Sequence, residues 1–119
     1  MKGLRIIISG GGTGGHIFPA ISIANALKEL LPDTQILFVG AQDRMEMQRV
    51  PAAGYQIVGL PIRGLVRPLW KPANISIMLD FLKSKRLAKK HIQKFRPHVA
   101  VGVGGYASSA TLNAAHDLG

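Results

Sequence analysis

Two periods of apolar and polar positions alternate along this chain. Leu4-Arg5-Ile6-Ile7-Ile8-Ser9 is a short β-branched run ending in glycines, the pattern of a buried strand. Ile17, Ala20, Ile21, Ala24, Leu27 and Leu31 then recur at helical spacing until Pro32-Asp33 stops the helix. Gln35 to Val39 predicts a second strand closed by Gly40, and Asp43 is placed to cap a short helix through Val50 that Pro51 and Gly54 break. Tyr55 to Val58 predicts a third strand, followed by a loop from Gly59 to Pro72. Asn74 is placed to cap a long helix to about Phe95, which Pro97 ends. His98 to Val103 predicts a fourth strand and Ser108 to Leu118 a final helix. Alternation of strand and helix throughout predicts an α/β fold, a parallel sheet with helices on both faces. No repeat or linker divides the 119 residues, so they form one domain. Four parallel strands with no fifth leave an open sheet edge, which leads us to expect part of a larger protein or a subunit that pairs with another chain.

Composition narrows the class. At 47% hydrophobic the chain can bury a core, and with no cysteine it has neither disulfides nor thiolate chemistry. Its mainly apolar runs, such as Ile75 to Leu79, fall far short of the ~20 residues of a membrane span, and its first eight residues are too short for a signal peptide. The expectation is a soluble cytoplasmic domain. Fifteen Lys and Arg against six Asp and Glu give a net charge of +9. The excess is local: Lys83, Lys85, Arg86, Lys89, Lys90, Lys94 and Arg96 lie between Phe81 and His116 with no acid among them. Such a run suits anionic lipid, nucleic acid or a phosphorylated substrate, or else it is a solvated helix face. Nucleic acid is the weakest of these, because no binding motif is present and aromatics for stacking make up only 6%.

Candidate chemistry sits in two glycine-rich turns. Ser9-Gly10-Gly11-Gly12-Thr13-Gly14-Gly15-His16 joins the first strand to the first helix, and Gly10, Gly12 and Gly15 satisfy GxGxxG. Glycines there allow a tight turn whose N–H groups, with the helix dipole, favour a phosphate. The acid that a dinucleotide site wants after the second strand is missing, since that position reads Val39-Gly40-Ala41-Gln42, and no Walker lysine follows the turn. His16 is the loop's one titratable group, suited to act as general base or orienting donor, or simply to pack at the helix start. Gly102-Val103-Gly104-Gly105-Tyr106-Ala107-Ser108 forms the second turn at the same end of its strand, with Ser108 placed to cap the last helix. Trp70, in Leu65-Val66-Arg67-Pro68-Leu69-Trp70-Lys71-Pro72, mixes apolar and basic residues as membrane interfaces do. In the helix behind it, Ile75, Met78, Leu79 and Leu82 form one apolar stripe that burial against the sheet explains, while Ile77 and Phe81 lie off it. Membrane contact is the preferred reading of loop and helix; core plus solvated face is the alternative.

Three blocks together resemble the MurG family: Gly11-Gly12-Thr13-Gly14-Gly15-His16-Ile17-Phe18-Pro19-Ala20, Ala41-Gln42-Asp43-Arg44-Met45-Glu46, and Gly102 to Ser108. The resemblance covers the whole chain, in order and spacing. It implies a Rossmann-like domain, the N-terminal, acceptor-side half of a GT-B glycosyltransferase, with the C-terminal donor domain absent. It further implies an inverting transfer of N-acetylglucosamine from UDP-N-acetylglucosamine to the 4-hydroxyl of undecaprenyl-pyrophosphoryl-N-acetylmuramyl-pentapeptide in peptidoglycan synthesis. Neither metal nor other cofactor is implied. By the same resemblance Thr13, Gly14 and Gly15 meet the donor, His16 is the candidate catalytic base or positioner, and Gly104, Gly105, Tyr106 and Ser108 meet the acceptor pyrophosphate. Arg67, Leu69, Trp70, Lys71, Lys83 and Lys85 fall where the family meets an anionic membrane, which places the protein peripherally on the cytoplasmic face of the bacterial inner membrane. The chain departs from the family where Ser109-Ala110 replaces Gly-Pro. A chain of this length is expected to be inactive alone, and a non-catalytic membrane-recruiting subunit of a two-chain glycosyltransferase is the alternative.

Overall fold

The computed structural model describes residues 3–11, 17–42, 46–61 and 73–118. Strands β1 (Arg5–Gly11), β2 (Gln35–Ala41), β3 (Gln56–Leu60) and β4 (Val99–Gly105) alternate with helices α1 (Ile17–Leu30), α2 (Glu46–Ala52), α3 (Ala73–Phe95) and α4 (Tyr106–Leu118). The strands form one parallel sheet in the order β3-β2-β1-β4. That order makes β1 and β4 neighbours, although most of the described chain separates them in sequence.

Alternate residues of each strand point to opposite faces, and the chain fills both. Ile6, Ile8, Ile36 and Phe38 pack with Ala20 and Ala24 of α1 and Val50 of α2. Ile7, Leu37, Val39, Ala41 and Leu60 pack with Ala88 and Ile92 of α3 and Ala110 and Ala114 of α4. The two-faced α/β arrangement expected from the alternating pattern is the one observed. Alanine at the closest helix positions lets backbone approach sheet, so a small core reaches dense packing.

Several boundaries differ from the sequence reading, each for a local reason. Gly40 and Gly59 do not close their strands; they pair with one another and the ladder runs on to Ala41↔Leu60. A Cβ on Gly40 would stand 2.6 Å from Glu46 Cγ, so glycine there makes room for a packed side chain rather than a turn. Helix α2 passes through Pro51 to Ala52, and Gly54, at φ +93°, ends it. Asn74 lies one residue inside α3 and is buried, and Ser108 is the third residue of α4, so neither takes its expected capping position. Asp43, the expected cap of α2, lies outside the described residues. His98 precedes β4, where its ring Nδ1 accepts the Arg5 N–H at 3.0 Å and its own N–H donates to the Arg5 carbonyl at 2.7 Å.

The largest correction concerns α3. Ile77 is 4% exposed and Phe81 packs against the core, whereas Ile75, Met78, Leu79 and Leu82 are 51–69% exposed. The inward stripe runs Asn74, Ile77, Phe81, Ser84, Ala88, Ile92 and Phe95, at steps of three and four. Two polar residues, Asn74 and Ser84, lie in that stripe and disguise it. The apolar stripe that looked like core is the outward one.

Candidate functional site

Parallel strands end at a common edge, where β1 and β4 lie side by side, and the second glycine block is not the turn expected of it: Gly102 to Gly105 belong to β4 and lead straight into α4. Helix α1 begins at Ile17 beyond the first turn, and α4 begins at Tyr106 directly after Gly105. Neither helix carries an acid in its own first turn, a setting that suits an anion near the N-terminal N–H groups. Open α/β sheets bind ligands outside the carboxyl ends of their strands, and this edge has that position.

The strand ends are shaped by close contact. The site of a Cβ on Gly10 is 2.3 Å from Val103 Cγ2, so only glycine lets β4 lie so near. Gly104 adopts φ +104°, a conformation open to glycine and strained for other residues. Ser9 faces Gly102, but the next paired residues are Gly11 and Gly105, so the β1–β4 register shifts in between. Below this irregularity Ser9 Oγ donates to the Val39 carbonyl at 3.0 Å and shares a hydrogen bond with Thr111 Oγ1 at 2.9 Å. On the other side of β1, the fully buried Glu46 accepts the Ala41 N–H through Oε1 at 3.0 Å, holding the end of β2 against α2. The Arg49 guanidinium stands 6.0 Å from the ring centre of Phe18, which is 54% exposed in the first turn of α1.

Of the residues singled out from the sequence, Gly104 and Gly105 end β4, and Tyr106 and Ser108 open α4, all at this edge. Thr13, Gly14, Gly15 and His16 lie outside the described residues, as do Arg67, Leu69, Trp70 and Lys71. Lys83 is exposed on α3. Lys85 instead reaches α4, where its Nζ is 2.7 Å from Asp117, which Lys89 also meets at 3.3 Å. Hydrogen bonds from these two lysines hold the Asp117 carboxyl below its ordinary range. Part of the basic run is therefore paired with an acid one residue past the window in which none occurs. The departure at Ser109-Ala110 has a structural consequence: α4 runs unbroken through both positions. A proline at 110 would remove an N–H donor there.

Glu46, Ser9 and Thr111 were missed as site-shaping residues. The available signal was a polar residue at an inward position of an apolar run, and for Ser9 that signal is plain in Ile6-Ile7-Ile8-Ser9. Among the described residues no helix is long and apolar enough to cross a membrane.

The family model for the glycosyltransferase family 28 N-terminal domain matches residues 6–119. A Bacteroides fragilis protein named UDP-N-acetylglucosamine--N-acetylmuramyl-(pentapeptide) pyrophosphoryl-undecaprenol N-acetylglucosamine transferase is 65% identical over 117 residues. That match covers 98% of this chain and 30% of the relative, so the chain spans about a third of the relative's length. The crystal structure of Acinetobacter baumannii MurG superposes with a TM-score of 0.81 at 25% identity, covering 98% of this chain and 33% of that one. The calicheamicin glycosyltransferase CalG4 matches in fold, with a TM-score of 0.67 at 17% identity over 99% of this chain and 31% of its own. The architecture is that of the N-terminal half of a GT-B glycosyltransferase.

Proposed function

The chain belongs to the family of glycosyltransferase family 28 N-terminal domains, and we propose that it is the acceptor-side part of an inverting N-acetylglucosaminyltransferase. The donor is UDP-N-acetylglucosamine and the acceptor an undecaprenyl-pyrophosphoryl-N-acetylmuramyl-pentapeptide. The observation that carries this reading is the 65% identity, across nearly the whole chain, to a transferase named for that reaction. The fold supports it: glycine-rich ends of two neighbouring strands, and two helices without an acid in their first turns, suit substrates that carry pyrophosphate.

In this reading the muramyl 4-hydroxyl attacks the anomeric carbon, the glycosidic bond to UDP breaks, and UDP leaves with the bonding electron pair. His16 takes or orients the hydroxyl proton, Thr13, Gly14 and Gly15 hold the donor, and Gly104, Gly105, Tyr106 and Ser108 hold the acceptor pyrophosphate. The donor pocket needs a C-terminal domain.

The membrane supplies the acceptor, and α3 offers a surface for it. Ile75, Met78, Leu79 and Leu82 are exposed beside Lys83 and Arg86, an apolar patch flanked by cations. Arg67, Leu69, Trp70 and Lys71 extend the same chemistry in sequence, giving a peripheral protein on an anionic leaflet.

The test replaces the matching segment of the Bacteroides fragilis relative with this chain. The swapped protein is expected to turn over UDP-N-acetylglucosamine with lipid-linked acceptor, while the 119-residue chain alone does not. A folded swapped protein without turnover, beside an active intact relative, would overturn the reading.

A further inference from the structure

We infer that Ser9 and Thr111 are positioning residues, a buried hydroxyl pair that holds the glycine-rich ends of β1 and β4 at one spacing where the register between the two strands shifts. The inference rests on the glycosyltransferase reading above. Both side chains are fully buried, a setting that apolar side chains of the same volume would fill. Up to Ser9 each β1 residue faces one β4 residue, as in Ile8↔Val101 and Ser9↔Gly102. Beyond it, two steps along β1 answer three along β4, because Gly11 faces Gly105. The ladder therefore changes register by one residue just before both strands end. Within the shifted stretch Gly10 and Gly104 have no side chain, and Val103 places its own against Gly10.

Ser9 and Thr111 bridge this irregularity from outside the ladder. Ser9 Oγ bonds the Val39 carbonyl on β2 at 3.0 Å and Thr111 Oγ1 on α4 at 2.9 Å, so one hydroxyl joins β1, β2 and α4. Helix α4 follows Gly105 without a break, so fixing Thr111 fixes the start of α4 and the end of β4 relative to β1. Apolar contact tolerates small slips, whereas a buried hydrogen bond is met at one separation and is destabilising when broken. A polar pair in this place sacrifices little stability and sets one spacing between the turns.

The test uses the swapped protein with Ser9→Ala, Thr111→Val, both together, and Thr111→Ser. Thr111→Val keeps the shape and removes the hydroxyl. Each of the first two is expected to lower kcat/KM roughly tenfold, mostly through kcat, as a small misplacement of binding groups does. The double variant should fall by less than the sum of the two single losses, because both remove the Ser9–Thr111 bond. Thr111→Ser should restore the parent kinetics. Lower melting temperatures with unchanged kcat and KM would overturn the inference, as would additive losses in the double variant. If the unsubstituted swapped protein shows no turnover, the functional reading fails separately. Hydrogen exchange on the 119-residue chain then decides: Thr111→Val should speed exchange in peptides covering 10–16 and 102–109 together and leave β2 and α2 unchanged. Unaltered exchange in both peptides would refute the pair's role.

Discussion

Ile77 and Leu79 stand two residues apart on α3 and face opposite ways, one 4% and the other 62% exposed. Substituting them separates what the helix does for the core from what its exposed face is proposed to do at a membrane. Taking a leucine side chain fully out of water is worth about 1.5–3 kcal/mol, so the exposed part of Leu79 has roughly 1–2 kcal/mol left to gain at an acyl boundary. Leu79→Gln forfeits that gain and should weaken partition onto anionic vesicles about 5–30-fold. Thermal stability should stay within about 0.5 kcal/mol, as for other surface substitutions. Ile77→Val should do the reverse, lowering stability by about 0.5–1.5 kcal/mol and leaving partition unchanged. Co-sedimentation with anionic and zwitterionic vesicles over a salt series, paired with thermal melts, reads both quantities. If Leu79→Gln sediments like the parent, the exposed stripe is not the membrane face and the basic run is a solvated surface. Equal binding to both vesicle types would remove the cationic flank from the argument as well.

The remaining predictions concern single residues. Gly40→Ala drives a methyl group to 2.6 Å from the Glu46 side chain, which is buried and cannot swing aside. It should lower stability by about 1–3 kcal/mol in urea titrations, and an unaffected midpoint would show that α2 moves freely from β2. Arg96 holds φ +55° directly before Pro97, and it gives Arg5 only its backbone carbonyl, at 2.7 Å. Arg96→Gly should therefore raise stability by about 0.5–1 kcal/mol, because relief of the left-handed strain exceeds the added chain entropy. Asp117 has its pKa lowered by Lys85 and Lys89, so its contribution is present above the unfolded value of about 3.9 and is lost as pH falls through the lower folded value. Asp117→Asn should flatten that acid limb of the unfolding midpoint, and an unchanged limb would assign it to other carboxylates. His16→Ala in the swapped protein should cut turnover more than donor affinity, and an equal loss in both would make His16 a binding group alone.

Element types and the two-faced sheet were legible because β1 and β2 are nearly continuous apolar runs and the helices between them recur at three and four. The facing of α3 was not. Its apolar residues occur on two sides, and the inward side contains Asn74 and Ser84, so periodicity alone favours the wrong stripe. Only the positions of Ala88 and Ile92, buried against Ile7 and Leu37, settle which side turns in. Strand ends were read two residues short because Gly40, Gly59 and the glycines of β4 look like punctuation. In the fold they are close-approach positions inside the ladder. The candidate edge was legible in the glycine blocks themselves. The adjacency of β1 and β4 was not, since strand order is a tertiary choice that no local pattern carries. The Ser9–Thr111 contact depends on that adjacency and was hidden with it.

Strand order and helix direction together bring the glycine-rich ends of β1 and β4 and the exposed apolar stripe of α3 to one side of the molecule. Strands β3 and β4 are parallel, so α3 must run back from the carboxyl edge, where β3 ends, to the amino edge, where β4 begins. Its far end is found there: Ile92 and Arg96 border a cavity of about 570 Å³ with Arg5 and Val99, the first residues of β1 and β4. A helix of 23 residues covers about 35 Å at 1.5 Å per residue, so its first and last turns stand well apart. Ile75, Met78, Leu79 and Leu82 all occupy its first half, which is the half nearer the two glycine turns. The outward apolar stripe therefore lies on the flank of the edge proposed to receive the pyrophosphate. A lipid-linked acceptor reaches that edge without leaving its bilayer when the surface that meets the bilayer adjoins it. Had the apolar residues been in the second half of α3, beside Arg96, the same composition would have turned the turns away from the membrane, and the acceptor reading would have failed on geometry.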